Sequence, residues 1–259
     1  MLSKAQIITS LVIVASAAVI ILLERLFPYN KGQKLLREGL FDDFVFYNGL
    51  QSFVMGFIIS YIISFIDESS HLSRLHLISS WPVYLQVIFF LVIHDFYIYW
   101  FHRLQHSSRI LWRIHEAHHS NKAIDWLAGA RSHSLEILIN QTIEFAPIVL
   151  LGAAPVVALY KGALSAIWGM YIHSNIDVHS GPLQYIINGP EMHRWHHSDG
   201  VPEAYNKNFS TKFAIWDWIF GTEYFPGNIK PQKFGLGDLK FPKNYFSQQL
   251  FAFRKFDDG

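Results

Sequence analysis

"FLVIHDFYIYWFHRLQH", residues 90–106, is an apolar run that ends in two histidines four residues apart. The run belongs to a longer apolar segment, Trp81–Phe101, of about the length a helix needs to cross a bilayer. His102 and His106 continue that segment and, at i and i+4, share one helix face. His94 lies eight residues earlier, about 12 Å back along the axis at 1.5 Å per residue. A polar ring at that depth is costly unless it faces the protein interior or a cavity, so His94 is expected to line a tunnel or to support a ligand from behind. Asp95 stands beside it.

Other segments repeat the apolar pattern. Ile7–Leu23 is interrupted only by Thr9, Ser10 and Ser16. Ala15-Ser16-Ala17 mimics a signal-peptidase site, but the run continues through Val19–Leu23 and reads as an anchor. Phe44–Ile66 is a further span. Leu135–Leu151 and Ala154–Ile172, joined at Gly152, carry Pro147 and Pro155 and read as an irregular hairpin whose complete crossing stays open. Hydrophobic residues make up 51% of the 259 and charged residues 16%, against roughly a quarter charged in soluble chains. The expected fold is an all-α integral membrane protein with about four to five membrane helices and a cytosolic, histidine-rich helical cap. Residues 1–80 supply N-terminal spans, 81–222 the catalytic region and 223–259 a tail.

Loop charges orient the spans, because positive residues stay cytosolic. Segment 24–43 holds Arg25, Lys31, Lys34 and Arg37, and segment 102–134 holds Arg103, Arg109, Arg113, Lys122 and Arg131. Segment 67–80 offers only Arg74, and the tip of the later hairpin only Lys161. Residues 102–134 and 173–259 are then cytosolic.

The chain has fourteen histidines and no cysteine. The missing thiols exclude disulfides, iron–sulfur clusters, thiolate metal sites and cysteine nucleophiles. His71 and His76 fall in the non-cytosolic loop as surface residues. "HEAHHSN" (115–121) and "HRWHHSD" (193–199) share the pattern His-x-x-His-His-Ser-Asn/Asp, which crowds three imidazoles onto one helix face. Histidine is a mediocre helix former and protonated neighbours repel, so such crowding points to a metal. One first-row metal takes about four to six ligands. His102, His106, His115, His118, His119, His193, His196 and His197, with His133 and His173, are too many for one ion and predict a binuclear site. Zinc and copper bind imidazoles too, and spacing does not choose among metals.

Function narrows the choice. His115-Glu116-x-x-His119 is the zinc-protease spacing, but it leaves the other clustered histidines idle, and the sister motif has Arg194 where Glu116 stands. A metal-binding membrane transporter would place its ligands near the bilayer midplane. A haem cytochrome would need widely spaced histidines on facing spans. An oxygen-activating di-iron enzyme, able to reach a lipid from the membrane surface, fits best.

"HDFYIYWFHRLQH" (94–106), "LWRIHEAHHS" (111–120), "RSHSLE" (131–136), "IHSN" (172–175), "HRWHHS" (193–198) and "NFSTKFAIWDWIFGT" (208–222) together resemble the successive signatures of the fatty acid hydroxylase/sterol desaturase superfamily. The resemblance implies a membrane-bound, di-iron, O2-dependent hydroxylase or desaturase acting on a C–H bond of a sterol, fatty acyl or related lipid. Matched by position, it implies as metal ligands His102, His106, His115, His118, His119, His133, His173, His193, His196 and His197. His94 and His179 are irregular positions and rank as auxiliary. Asp95, Glu136, Asn175, Asp199 and Asp217 are candidates for orienting imidazoles through their second ring nitrogen, while Trp216, Asp217 and Phe220-Gly221-Thr222 are expected to lock the cap. No catalytic acid or base separate from the metal centre is expected. The cofactors are two iron ions, with zinc able to substitute, and O2 is co-substrate. No Gly-x-Gly-x-x-Gly follows a strand, so electrons come from an external NAD(P)H-linked donor through a separate electron-transfer protein. Nucleic acid is not expected among the partners. In the tail, Phe234, Phe241, Phe246, Phe251, Phe253 and Phe256 alternate with lysines, a pattern that suits either the membrane interface or packing on the cap.

Overall fold

The computed structural model describes residues 2–227, 229–237 and 239–255; Phe256 lies outside them. Among these residues the chain is helical, with no strand beyond the isolated bridges Pro28–Ile176 and Ser198–Phe234. Helix α1 is Lys4–Leu26, capped by the Ser3 side chain on Gln6. A π-helical stretch, Asp42–Gln51, runs directly into α2, Ser52–Ser70. Helix α3 is Val83–Ser107, and a Ser108 cap starts α4, Arg109–His119. Then follow α5 (Ser134–Leu150), α6 (Pro155–Ile172) and the short helices α7 (Pro190–His196), α8 (Ile215–Phe220) and α9 (Tyr245–Phe251).

Lys4–Leu26, Asp42–Ser70, Val83–Ser107 and Pro155–Ile172 are long and apolar enough to cross a membrane. The protein is a multi-pass membrane protein. Helix α1 is about 34 Å long at 1.5 Å per residue, enough for a hydrocarbon core of about 30 Å. The outward faces stay apolar: Phe53, Phe57 and Tyr61 on α2, spaced by one turn, are each more than 70% exposed. Polar solvent would penalise that row; lipid does not.

Helix α5, at 17 residues, is shorter than the four spans, yet the α5–α6 hairpin reaches the same end as the α2–α3 loop. The Ile78 amide donates to the Leu151 carbonyl at 3.2 Å. Gly152 turns the hairpin at φ +70°, and a Cβ there would lie 2.9 Å from the Ser73 carbonyl oxygen, so the tip needs glycine. Ile78, Val87, Phe90, Ile148 and Val157 pack together at this end, and Ile59, Ile63 and Ala146 join α2 to α5.

The buried face of α3 runs through Val87, Phe90, His94, Ile98, His102 and Gln105. It starts apolar against the hairpin and ends polar under the cap. Two of the loop charges from which the sequence predicts orientation are buried in ion pairs: Arg37 with Asp43 at 2.8 Å and Asp125 at 2.7 Å, and Arg131 with Asp43 at 2.7 Å. Lys161 also departs from expectation. It lies within α6 rather than at the hairpin tip and is fully buried, because Glu144 on α5 pairs with it.

The tail packs on α4, where Arg254 pairs with Glu116, and on the π-helical stretch before α2. The Tyr245 hydroxyl donates to Gln51 at 2.9 Å and Tyr47 to Gln248 at 2.6 Å, while Phe246, Leu250 and Phe253 point outward.

Candidate metal centre

Four helix ends converge on the base of the cap. From α3 come His102 and His106, from α4 His115, His118 and His119, from α7 with its C-cap His193, His196 and His197, and from the end of α6 His173. They sort into two groups whose ligand atoms each lie within 4.8 Å of one another: His102, His106, His115, His119 and His196 in one, and His118, His173, His193 and His197 in the other. The repeated motif explains the sorting. Helix α4 gives its i, i+4 pair, His115 and His119, to the first group and His118 to the second. Helix α7 does the reverse, giving His193 and His197 to the second group and His196 to the first.

The rings are held from behind. Nδ1 of His102 donates to the Phe209 carbonyl at 2.7 Å, His118 to Arg131 at 3.2 Å, His173 to Gly169 at 2.8 Å and His196 to Lys207 at 2.8 Å. His115 Nδ1 meets the Glu136 carboxylate at 2.8 Å, and Gln105 holds the same oxygen at 2.9 Å. With the proton on Nδ1, each Nε2 carries a lone pair pointing into the cluster. Those lone pairs face one another: His118 and His173 at 3.3 Å, with His193 Nε2 at 2.9 Å from His173. For His118 and His173, neutral rings whose Nδ1 protons are committed elsewhere offer no hydrogen for that 3.3 Å contact. A cation between the nitrogens removes the conflict. Burial first, and neighbouring imidazoles next, push His119, His193 and His197 well below the usual histidine value. They are neutral at physiological pH, the form a metal binds. The donor set fits metal ions.

Other residues named from the sequence lie elsewhere. His133 caps α5: its Nδ1 accepts from the Leu135 amide at 3.1 Å, and its Nε2 donates to the Gln249 carbonyl at 2.9 Å. Both nitrogens are occupied away from the cluster. His179 is exposed and meets Glu191 at 3.1 Å. Glu116 turns away from the histidines and takes Arg254 in a fork at 2.7 and 2.8 Å. In the sister motif Arg194 donates to the Ser174 carbonyl at 2.8 Å and lies 4.0 Å over the Tyr29 ring.

Among the carboxylates and amides, Glu136 touches an imidazole directly. Asp217 acts one step behind, accepting from the amides of Phe209 and Ser210 at 2.9 Å and so fixing the loop whose carbonyl holds His102. Thr222 donates to Asp217 and pairs with the Tyr99 hydroxyl, both at 2.8 Å, which locks the cap to α3. Asp95 accepts from Thr211, from the amides of Lys212 and Phe213, and from the Trp216 indole, all within 3.1 Å. Asn175 pairs with Asn30 through both side-chain atoms. Asp199 lies beside Gly237 on the wall of a cap cavity.

Sequence reading missed Glu24. It is fully buried at the end of α1 and accepts from the amides of Trp126 at 2.7 Å and Asn175 at 2.8 Å, tying the anchor helix to the loop that follows His173. A carboxylate at the end of an otherwise apolar run was the available signal. Gly129 was missed as well: a Cβ there would lie 2.6 Å from His173 Nδ1.

Two cavities reach the cluster. One, of about 520 Å3, opens through the cap to His106, His119 and His196, beside Trp112. The other, of about 260 Å3, lies between α3, α5 and α6 and runs from His102, His115, His118 and His173 to His94 and Glu144.

Residues 87–222 match the family model described as fatty acid hydroxylase, just over half of the 259 residues. The chain belongs to the fatty acid hydroxylase family. Among its relatives, an ornithine lipid hydroxylase of Rhizobium tropici is 31% identical over 92% of this chain and 73% of its own. The human alkylglycerol monooxygenase is 34% identical over 49% of this chain, and spans only 28% of its own length in the match. Methylsterol monooxygenase 1 of Rattus norvegicus is 34% identical over 51% of this chain and 44% of its own. No solved structure matches. A member of this family is an oxidoreductase acting on membrane lipid, which leaves the protease and transporter readings without support.

Proposed function

We propose that this family member is a di-iron, O2-dependent lipid hydroxylase whose centre lies at the cytosolic ends of its spans. The observation that carries the reading is the pair of buried imidazole groups, five and four rings, with lone pairs turned inward. Bound there, two iron ions would supply O2 reduction and attack on an unactivated C–H bond. The balance is R–H + O2 + 2e− + 2H+ → R–OH + H2O. The chain's own residues hold and orient the ions through His102, His106, His115, His119 and His196 on one side, and His118, His173, His193 and His197 on the other. His133, with both nitrogens engaged, is left out of this ligand set. Glu136 and the carbonyls of Phe209, Arg131, Gly169 and Lys207 set the tautomers of His115, His102, His118, His173 and His196. Phe209 and Trp112 pack against ring faces and limit water.

Hydroxylation is preferred to desaturation because the named relatives are hydroxylases and monooxygenases. The likeness to the Rhizobium enzyme runs through nearly the whole chain, which makes ornithine-type lipids the first substrates to try. Electrons come from a separate carrier, for which the cap cavity beside Trp112 offers an approach to His106, His119 and His196. Residues 81–222 form the catalytic region between the N-terminal spans and the tail.

Two measurements test the reading. Protein purified without chelators from an iron-replete host should hold about two metals per chain. Lipid profiles of cells with and without the gene should differ by species heavier by one oxygen. A stoichiometry of one, or an unchanged lipid profile, overturns it.

A further inference from the structure

The tail helix α9 sits where the apolar surface of the spans meets the cap. It turns Tyr245, Gln248 and then Ala252 inward. Its other face carries Phe246, Leu250 and Phe253, which are 60%, 71% and 67% exposed. At i, i+4 and i+7 they form one apolar stripe. The inward side is well held. The Tyr245 ring stacks on Phe46 at 5.6 Å between centroids, and Phe246 meets the same ring edge-on at 5.6 Å. Past the end of α9, Arg113 donates to the Lys255 carbonyl at 2.9 Å and Arg254 forks onto Glu116. The stripe is therefore held outward from both ends of the helix.

Depth in the bilayer follows from α2. Asp67 and Glu68 close the apolar part of that span at the end away from the cap. About 20 residues cross the hydrocarbon, and counted back from Ile66 that length ends near Tyr47. Phe46, against which α9 packs, then lies at the head-group boundary on the cap side. The apolar surface is continuous there. It descends α2 through Phe57, Phe53 and Leu50, all exposed, to the half-buried Phe46, and passes to Phe246 on α9. On the α4 side Ile110, one turn before Arg113, is exposed as well. Charges flank the stripe. Lys243, before α9, pairs with Glu38 in solvent, and Lys255, after it, is exposed. Lysine stems can lie along an apolar layer while the ammonium stays among head groups.

We propose that α9 is an interfacial helix, seated in the cap-side leaflet at the boundary of head groups and acyl chains, with Phe246, Leu250 and Phe253 in the lipid. The partner is the bilayer and not another protein, because the stripe extends a surface that α2 already gives to lipid. It also lies at the level where amphipathic helices and aromatic rings settle. Through Glu116 and Arg113 the seat reaches α4, so lipid fixes the height of the helix that carries His115, His118 and His119. The seat is independent of the reaction those histidines serve.

A fluorophore on a single introduced thiol tests it, since the chain has no cysteine of its own. Leu250→Cys and Phe253→Cys, each carrying an NBD group, are compared in the metal-loaded full chain reconstituted in phosphatidylcholine vesicles. If one variant does not accumulate, the other carries the same comparison. Phe57→Cys on α2 sets the scale for lipid, and Glu203→Cys on the cap sets it for water. Both α9 positions should emit to the blue of Glu203→Cys and be shielded from iodide. Lipid with a nitroxide close to the head group should quench them more than Phe57→Cys, which stands about 15 Å deeper than Tyr47 at 1.5 Å per residue. A nitroxide near the end of the acyl chain should reverse that order. Emission and iodide quenching equal to those of Glu203→Cys would place the stripe in water. Shielding from iodide and from both nitroxides would place it under protein, a partner or a second copy. Either result overturns the interfacial seat. Quenching of Phe57→Cys by iodide would overturn the lipid-facing side of α2 and the seat with it.

Discussion

Glu116 follows His115 directly, and neighbours on a helix point about 100° apart. That angle sends His115 to the metal groups and Glu116 to Arg254, so the protease-like spacing is an accident of two separate jobs. Glu116→Gln should keep about two metals per chain and most of its turnover, at a cost of about 1–2 kcal/mol from the weakened Arg254 fork. His118→Ala should empty a position in the four-histidine group and abolish turnover. Metal analysis and activity on the same preparations decide; a metal-replete but inactive Glu116→Gln would restore the glutamate as a catalytic base. His133→Ala should likewise retain both metals while losing about 1 kcal/mol of helix capping, read as a lower unfolding midpoint. Nine of the ten histidines singled out from the sequence converge in the structure, because imidazoles crowded on one helix face repel when protonated and gain from the crowding only when they share a cation. His133 was harder to read: one histidine just before a helix serves as cap or ligand with the same local sequence, and only the position of Gln249 separates the two.

At the scale of elements, the spans and the histidine repeat were legible because periodicity and run length are local properties. How the repeat divides was not. The exchange of lone histidines between α4 and α7 depends on how two short helices face each other, which no spacing records. Nor were the struts: Glu24 and Asn175 act across more than a hundred residues, and Lys161 looked like a loop charge until α5 placed Glu144 against it. The turn at 128–130 gives the sharpest test of such long-range support. Gly129 leaves no room for a methyl beside His173, so Gly129→Ala should displace that ring and lower metal in the four-histidine group alone. About one metal per chain is expected, with His173→Ala giving the same stoichiometry. Two metals per chain in Gly129→Ala would show that the loop yields instead of the histidine.

For the whole molecule, the direction of insertion rests on fewer charges than the sequence suggests. Arg37 and Arg131 are buried with Asp43 and Asp125, so they report packing and not sidedness. Arg25, Lys31, Lys34, Arg103, Arg109, Arg113 and Lys122 are the other basic residues of the two cap-side segments, against Arg74 in the α2–α3 loop. That excess predicts a cytosolic cap, the side on which the proposed electron carrier would reach it. The absence of cysteine makes the prediction direct to check, because a single introduced thiol is the only one present. Glu203 and Leu75 are exposed at opposite ends of the molecule, on the cap and in the α2–α3 loop. In intact cells a membrane-impermeant maleimide should label Leu75→Cys and spare Glu203→Cys; in inverted vesicles the pattern should exchange. Labelling of Glu203→Cys from outside would turn the cap away from the cytosol, and with it from any cytosolic source of electrons.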